Sequence, residues 1–389
     1  MKRIAIVTPY GAEERLDNYA EFVLAQELIE RGYDVRMFTY TSRALEYKDE
    51  VYKGVPVTRC RERHAFSPRL FSNLLWFRPD IVLALHPRSM LNFSAYWGAR
   101  AVGARFIVEI VGILHDPFLV KDTDNPYGSE YEKPLLVTTL SQFLKQTVRG
   151  KLRNAWKNYV WHMPTAAADT VISINDEEKR YVQRFYGRDS VRIYWCAPRA
   201  DTTSTIKQGV VPEKFIFFIG QMKRRKGWDT ALEAVAELVR QGEEARMVIV
   251  GPQHTQESER YAKELGIADR LTFFSAISNQ EKNWLYAHAE CVLVPSRYEG
   301  FGLPIFEAFV AGAPVCASDL SIFTEFLREG ENALLFKKGD GADAARALRT
   351  LRADPALRER LITEGIKTAE HFSRERMVGD YIQLFDSKI

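Results

Sequence analysis

Short apolar runs rich in β-branched residues alternate along this chain with segments whose apolar positions recur every three or four residues. Runs at residues 4–8, 35–40, 55–58, 81–85 and 106–111 predict buried parallel strands. Residues 19–31, closed by Gly32, predict a helix among them. Runs at 169–174 and 191–194 continue this series. A second series opens at Phe215, with strands at 216–220, 247–251, 271–275, 291–295 and from Val315. Between its first two strands, Trp228, Ala231, Leu232, Val235, Leu238 and Val239 keep helical spacing. Such alternation predicts an α/β chain, with a doubly wound, Rossmann-like parallel sheet in each series. Residues 199–212 are polar and aperiodic, which suits a linker. The reading therefore places a first domain at 1–198, a second at 213–372 and a final helix within 373–389.

Composition narrows the class. A chain of 389 residues accommodates two ordinary domains, and a hydrophobic fraction of 46% is that of a globular protein. No apolar stretch approaches the ~20 residues that span a bilayer. The opening Met1 to Val7, interrupted by Pro9, is too short for a signal peptide, so a cytoplasmic protein is expected. Cys60, Cys196, Cys291 and Cys316 lack metal-ligand spacing and read as reduced structural thiols. A net charge of +3 is too small to argue for nucleic acid.

The richest chemistry lies between Ser296 and Glu307, where two carboxylates bracket Gly300-Phe301-Gly302-Leu303-Pro304. The strand before this run and the helix that Pro304 opens put it at the carboxyl end of a strand, where open α/β sheets bind ligands. Free N–H groups around Gly302 and Leu303 can face phosphate oxygens. A carboxylate facing phosphate would repel it, so Glu299 and Glu307 suit hydroxyls. A plainer reading makes Glu307 a favourable acid in the first turn of a helix and Glu299 a surface loop residue. A second turn, Gly220 to Gly227, also follows a strand and carries Lys223, Arg224, Arg225 and Lys226.

The two glutamates, with seven residues between them, resemble the signature of glycosyltransferase family 4, retaining enzymes of the GT-B fold. The resemblance runs from about Phe215 to Phe336. It implies two Rossmann-like domains facing a central cleft, with Glu299 at the donor sugar and Glu307 at the nucleotide ribose. The second turn is similar to the family's diphosphate-binding segment, with Lys226 on the family's lysine and Gln221 where the family has arginine. Arg224 or Arg225 is then the compensating cation. Gly220, Phe301, Gly302 and Leu303 join the donor site, and Ile277 borders the base. In the first domain the resemblance points to Gly11, on a loop where relatives carry two glycines. It also brings in Glu109 to Gly112, with Val111 replacing an arginine, and an active-site histidine, for which His115 and His86 are the candidates. The last helix is expected to cross back onto the first domain.

Asp122-Thr123-Asp124 has a metal-binding spacing but sits in a polar, loop-like segment, so no metal site is assigned. No cofactor is expected beyond a nucleoside diphosphate sugar as donor substrate. Between Ser141 and Ala168 there is no acid, while Lys145, Arg149, Lys151, Arg153 and Lys157 lie beside an apolar row and three aromatics. That pattern suits an anionic membrane surface bound through 145–161, on the inner face of the cell membrane, a domain helix whose apolar row faces the core, or an anionic soluble acceptor. Gly150 argues against the helix. The resulting expectation is a retaining, metal-independent glycosyltransferase acting on a glycan, glycolipid or lipid-linked acceptor. A nucleotide-sugar-binding or membrane-scaffold protein without turnover, or a GT-B epimerase or phosphorylase, is the alternative.

Overall fold

The structure is a computed structural model, describing residues 1–9, 19–40, 49–61, 66–86, 89, 91–112, 148–199, 211–251 and 256–387. Gly11, His115, Asp122, Asp124, Lys145 and most of the expected linker lie outside these residues. The chain divides into two compact units, the first formed by 1–196 with 374–389 and the second by 197–373.

The first unit holds an eight-stranded sheet in the order β3-β4-β2-β1-β5-β6-β7-β8. Its strands are β1 (Arg3–Thr8), β2 (Asp34–Tyr40), β3 (Asp49–Tyr52), β4 (Val55–Cys60), β5 (Ile81–Leu85), β6 (Arg105–Ile110), β7 (Thr170–Ser173) and β8 (Val191–Arg192). The helices that follow β1, β4 and β5 are α1 (Ala20–Glu30), α2 (Pro68–Phe77) and α3 (Leu91–Val102), and α4 (Val148–Ala166) and α5 (Asp176–Tyr186) flank β7 in sequence. Local chemistry sets the ends. Ser67 caps α2 ahead of Pro68, and Asn175 caps α5 ahead of three acids in its first turn, with Gly187 closing it at φ 61°.

The expectation of a wholly parallel sheet needs one correction. β3 pairs antiparallel with β4 at the sheet edge. Lys53 and Gly54 make the turn with φ of 45° and 84°, the left-handed pair that a tight hairpin requires. A four-residue edge strand with alternating exposure carries too short a pattern to stand out in sequence. Gly150 also fails to break α4, which runs through it.

The second unit is a six-stranded, wholly parallel sheet in the order β11-β10-β9-β12-β13-β14. These strands are β9 (Ile216–Ile219), β10 (Met247–Val250), β11 (Leu271–Phe274), β12 (Cys291–Val294), β13 (Val315–Ser318) and β14 (Leu334–Phe336). The order reverses between β9 and β12, and this is where a doubly wound sheet opens a crevice for ligands. Helix α6 (Trp228–Arg240) buries Trp228, Ala231, Leu232, Val235 and Leu238 against the sheet, the face its spacing predicts. The remaining helices are α7 (Gln256–Glu264), α8 (Asn279–His288), α9 (Leu303–Val310), α10 (Gly341–Ala353), α11 (Pro355–His371) and, in the first unit, α12 (Arg374–Asp386).

Two carboxyls lie wholly inside the first unit. Glu109 on β6 accepts a hydrogen bond from the Trp195 indole at 2.6 Å and another from the Tyr381 hydroxyl of α12. Glu178 on α5 accepts from the Gly112 N–H at 2.5 Å. Burial pushes the Glu109 carboxyl up to about 7 and that of Glu178 up to about 8. The folded chain thus holds more protons than the unfolded one between roughly pH 4.5 and 8, so stability is full at the acid end and declines as pH rises. Each shifted unit is worth about 1.4 kcal/mol, which makes the loss from Glu109 about 3 kcal/mol by pH 9. Urea unfolding of wild type should show this decline, and Glu109→Gln should flatten it. Equal slopes for the two proteins would show that Glu109 does not titrate in this range.

Candidate functional site

Two strand-following loops meet where the second sheet reverses its order. The loop after β9 makes a single 3-10 turn, Arg224–Lys226, and enters α6 through Gly227. The loop after β12 runs from Pro295 to Gly302 and enters α9. Backbone bonds tie the two loops together, with the Arg297 N–H donating to the Arg225 carbonyl at 2.7 Å. The Arg297 guanidinium adds bonds to the Arg224 carbonyl, to Asp229 at 2.5 Å and to the Thr230 hydroxyl, so one side chain spans the β9 loop and the start of α6. Gly227 sits so close to the neighbouring loop that a Cβ there would lie 1.8 Å from the Pro295 oxygen.

Lys226 and Glu299 pair across this junction, Nζ to Oε1, at 2.5 Å. The Ser296 hydroxyl donates to the same Glu299 oxygen at 2.7 Å. The Lys226 stem folds back over Gly220, its Cγ 3.5 Å from where a Cβ would stand. Burial draws the Lys226 ammonium below its ordinary value, against the attraction of Glu299. Burial also opposes the Glu299 charge, yet Lys226 and then Arg225 outweigh it and hold the carboxyl below the usual range. Glu299 is therefore an interior ionised group and not the surface loop residue of the plainer reading.

Glu307 lies just past the first turn of α9, in which the sequence reading places it, since the helix begins at Leu303 and not at Pro304. Its two oxygens accept from Lys282 at 2.5 Å and from the Tyr286 hydroxyl at 2.7 Å, both on α8. Gly302 caps α9 at φ 91°, where a Cβ would also press on the Phe323 ring at 2.7 Å. The N–H groups of Gly302 and Leu303 have no acceptor among the described residues, which leaves them able to meet an anion. Phe301, by contrast, turns inward and stacks on Phe306 at 4.6 Å, so only its backbone borders the loop. Ile277 is half-buried beside Ser278, which caps α8 in a reciprocal pair with Glu281.

The cations of the turn separate. Arg224 pairs with Glu257 at 3.2 Å, Gln221 is exposed, and Arg225 has no hydrogen-bond partner for its buried Nε among the described residues. His86 follows β5 at φ 64°, 3.7 Å from the buried Glu21. Glu109 is enclosed by Trp195 and Tyr381. Ser296, Arg297, Lys282 and Tyr286 are additions that the sequence did not single out. Only the spacing of Lys282 and Tyr286 on one helical face hinted at them. An open groove of about 1100 Å³, bordered by Lys214, Arg246, Glu290 and Arg352, lies at the amino ends of the strands, away from these loops. Among the described residues no three His, Cys, Asp or Glu side chains gather as a metal site, and no helix is long and apolar enough to cross a membrane.

Two Rossmann-type units, one with paired acids and lysines at its strand-order reversal, define a two-domain α/β protein of the glycosyltransferase B class. Residues 23–194 match the glycosyl transferase 4-like domain, and residues 202–368 match glycosyl transferases group 1. The chain belongs to the family 4 glycosyltransferases of the GT-B fold. It is 33% identical to a D-inositol 3-phosphate glycosyltransferase of Nocardia farcinica over 53% of this chain and 49% of that one, so the match spans about half of that relative. A phosphatidyl-myo-inositol mannosyltransferase of Mycobacterium leprae is 26% identical over 99% of this chain and 96% of its own. The structure of Anabaena Alr3699/HepE in complex with UDP-glucose superposes with a TM-score of 0.72 at 14% identity, covering 100% of both chains.

The contact of Gly227 with Pro295 can be isolated from its backbone angle. Gly227 and Gly266 have φ of 72° and 70°, but nothing lies within 4 Å of a Cβ at Gly266. Gly266→Ala should then lose only the left-handed penalty, about 1–2 kcal/mol. Gly227→Ala should lose clearly more in denaturant unfolding, because two loops must part. Equal losses would mean that the close approach carries no weight.

Proposed function

We propose that this protein is a retaining glycosyltransferase that moves a sugar from a nucleoside diphosphate donor to an acceptor hydroxyl without a metal. The Lys226–Glu299 contact at 2.5 Å is the observation that carries the reading. It puts a buried cation and a hydroxyl-seeking carboxylate together where a phosphate and its attached sugar would adjoin. Lys226 would stabilise charge developing on the leaving diphosphate, with Arg225 as the cation that replaces the family's arginine and the Gly302 and Leu303 N–H groups as further donors. Glu299 would orient the donor sugar and Glu307 the ribose. The protein's work is then positioning and charge stabilisation, with the acceptor proton passing toward the departing phosphate. The name of the Mycobacterium leprae relative supports a lipid-linked acceptor, and the Anabaena complex supports a nucleotide-sugar donor.

An anionic membrane surface suits such an acceptor, and α4 favours this over a wholly core-facing helix. Its apolar row divides, for Val160 is fully buried while Leu152 is 69% and Trp156 49% exposed. Trp97 of α3, at 44%, and Tyr159, at 49%, gather with Trp156 around Phe93 at ring distances of 6.0–6.4 Å. Trp161 turns inward instead. Tryptophan and tyrosine of this kind favour the membrane interface, and each nearby cation adds about 1 kcal/mol on an anionic surface.

Two measurements follow. Donor consumption with lipid and glycan acceptors should depend on Lys226, with Lys226→Ala lowering kcat at least tenfold and KM little, and should persist in excess EDTA. Unchanged kcat would remove Lys226 from the chemical step, and loss on chelation would bring back a metal. Co-sedimentation with phosphatidylglycerol vesicles should weaken with salt, and again when Trp97 and Trp156 become Ser. Equal binding by the double variant would remove the aromatic surface from the membrane reading.

A further inference from the structure

Glu307 is held by a dedicated pair. Lys282 and Tyr286 stand one helical turn apart on α8, so they share a face, and each reaches a different oxygen of the carboxylate. The Tyr286 ring is buried and meets Phe217 of β9 edge-on at 4.9 Å, which fixes where its hydroxyl points. The helix is set in turn by the reciprocal Ser278–Glu281 cap. Burial and the adjacent Glu307 charge keep the Tyr286 phenol protonated far above its ordinary range, so it remains a donor.

The consequence is geometric. A carboxylate oxygen has room for two donors. With one position on each oxygen filled by α8, Glu307 keeps acceptor capacity on each, on two oxygens of one carboxylate whose rotation those bonds restrain. Two hydroxyls on neighbouring carbons match such a pair, as in the cis-diol of a ribose. Lys282 also balances the Glu307 charge, which would otherwise repel a diphosphate nearby.

We infer that Lys282 and Tyr286 are positioning residues that lock Glu307 as a two-point acceptor for a vicinal diol and so set the preference for ribonucleotide over deoxyribonucleotide donors. This rests on the ribose reading of Glu307 given above. Calorimetry with UDP and GDP, each beside its 2′-deoxy counterpart, separates the two claims. Wild type should bind the ribonucleotide at least tenfold more tightly than the deoxy form. Tyr286→Phe and Lys282→Met should each weaken the ribonucleotide several-fold while leaving the deoxy form nearly unchanged, so that the ratio falls toward one. Glu307→Gln should do the same. If both variants keep the wild-type ratio, or weaken the two forms alike as a merely structural role would, the positioning inference is overturned while the ribose reading survives. If wild type itself does not distinguish the two forms, the ribose reading of Glu307 fails first.

Discussion

A buried ion pair joins the two loops on which the second unit's chemistry depends. Desolvating Lys226 and Glu299 costs several kcal/mol per ion, and replacing such a pair by apolar groups is often neutral for stability. Its presence is better explained by what it positions. One partner comes from the loop after β9 and the other from the loop after β12, at the point where the strand order reverses. The close approach at Gly227 and the span of Arg297 bring these loops near enough for the pair to form. The glycines here thus serve proximity as much as turning.

The same arrangement occurs twice. Glu299 is matched by Lys226, and Glu307 by Lys282, each at 2.5 Å. A site that must admit an anion can hold carboxylates only if their charge is already balanced, and each lysine comes from an element distant in sequence from its glutamate. Balanced in this way, the acids keep their capacity to accept hydroxyl hydrogens without repelling phosphate. Arg225, whose buried Nε has no hydrogen-bond partner among the described residues, adds charge that helps hold Glu299 ionised.

The first unit uses its acids differently. Glu109 and Glu178 are enclosed and their carboxyls titrate near neutrality, so they resist ionisation where the second unit's Glu299 is held ionised. The difference lies in the partners. Neutral donors from Trp195, Tyr381 and a backbone N–H reach the first pair, whereas cations reach the second. Glu109 also joins α12 to β6 through Tyr381, so a residue near the chain's end completes the interior of the unit that its beginning forms.

Period and punctuation in the sequence determined most of the elements, because apolar runs bounded by glycine and proline report local burial. The parallel strands of both sheets other than β14, the buried face of α6 and the glycine-capped start of α9 were legible on that ground. So was the proximity in kind of Glu299, Glu307 and Lys226, through the loops that follow strands. The β3 hairpin and the three-residue β14 were not, since an edge strand or a strand that short carries too little pattern. Tertiary structure alone decided the pairings. Nothing in the order of residues shows that α8 turns Lys282 and Tyr286 toward Glu307, that Arg224 rather than Arg225 is taken by Glu257, or that Phe301 faces inward. Those outcomes depend on which helix face meets which loop, and that is fixed only when distant segments pack.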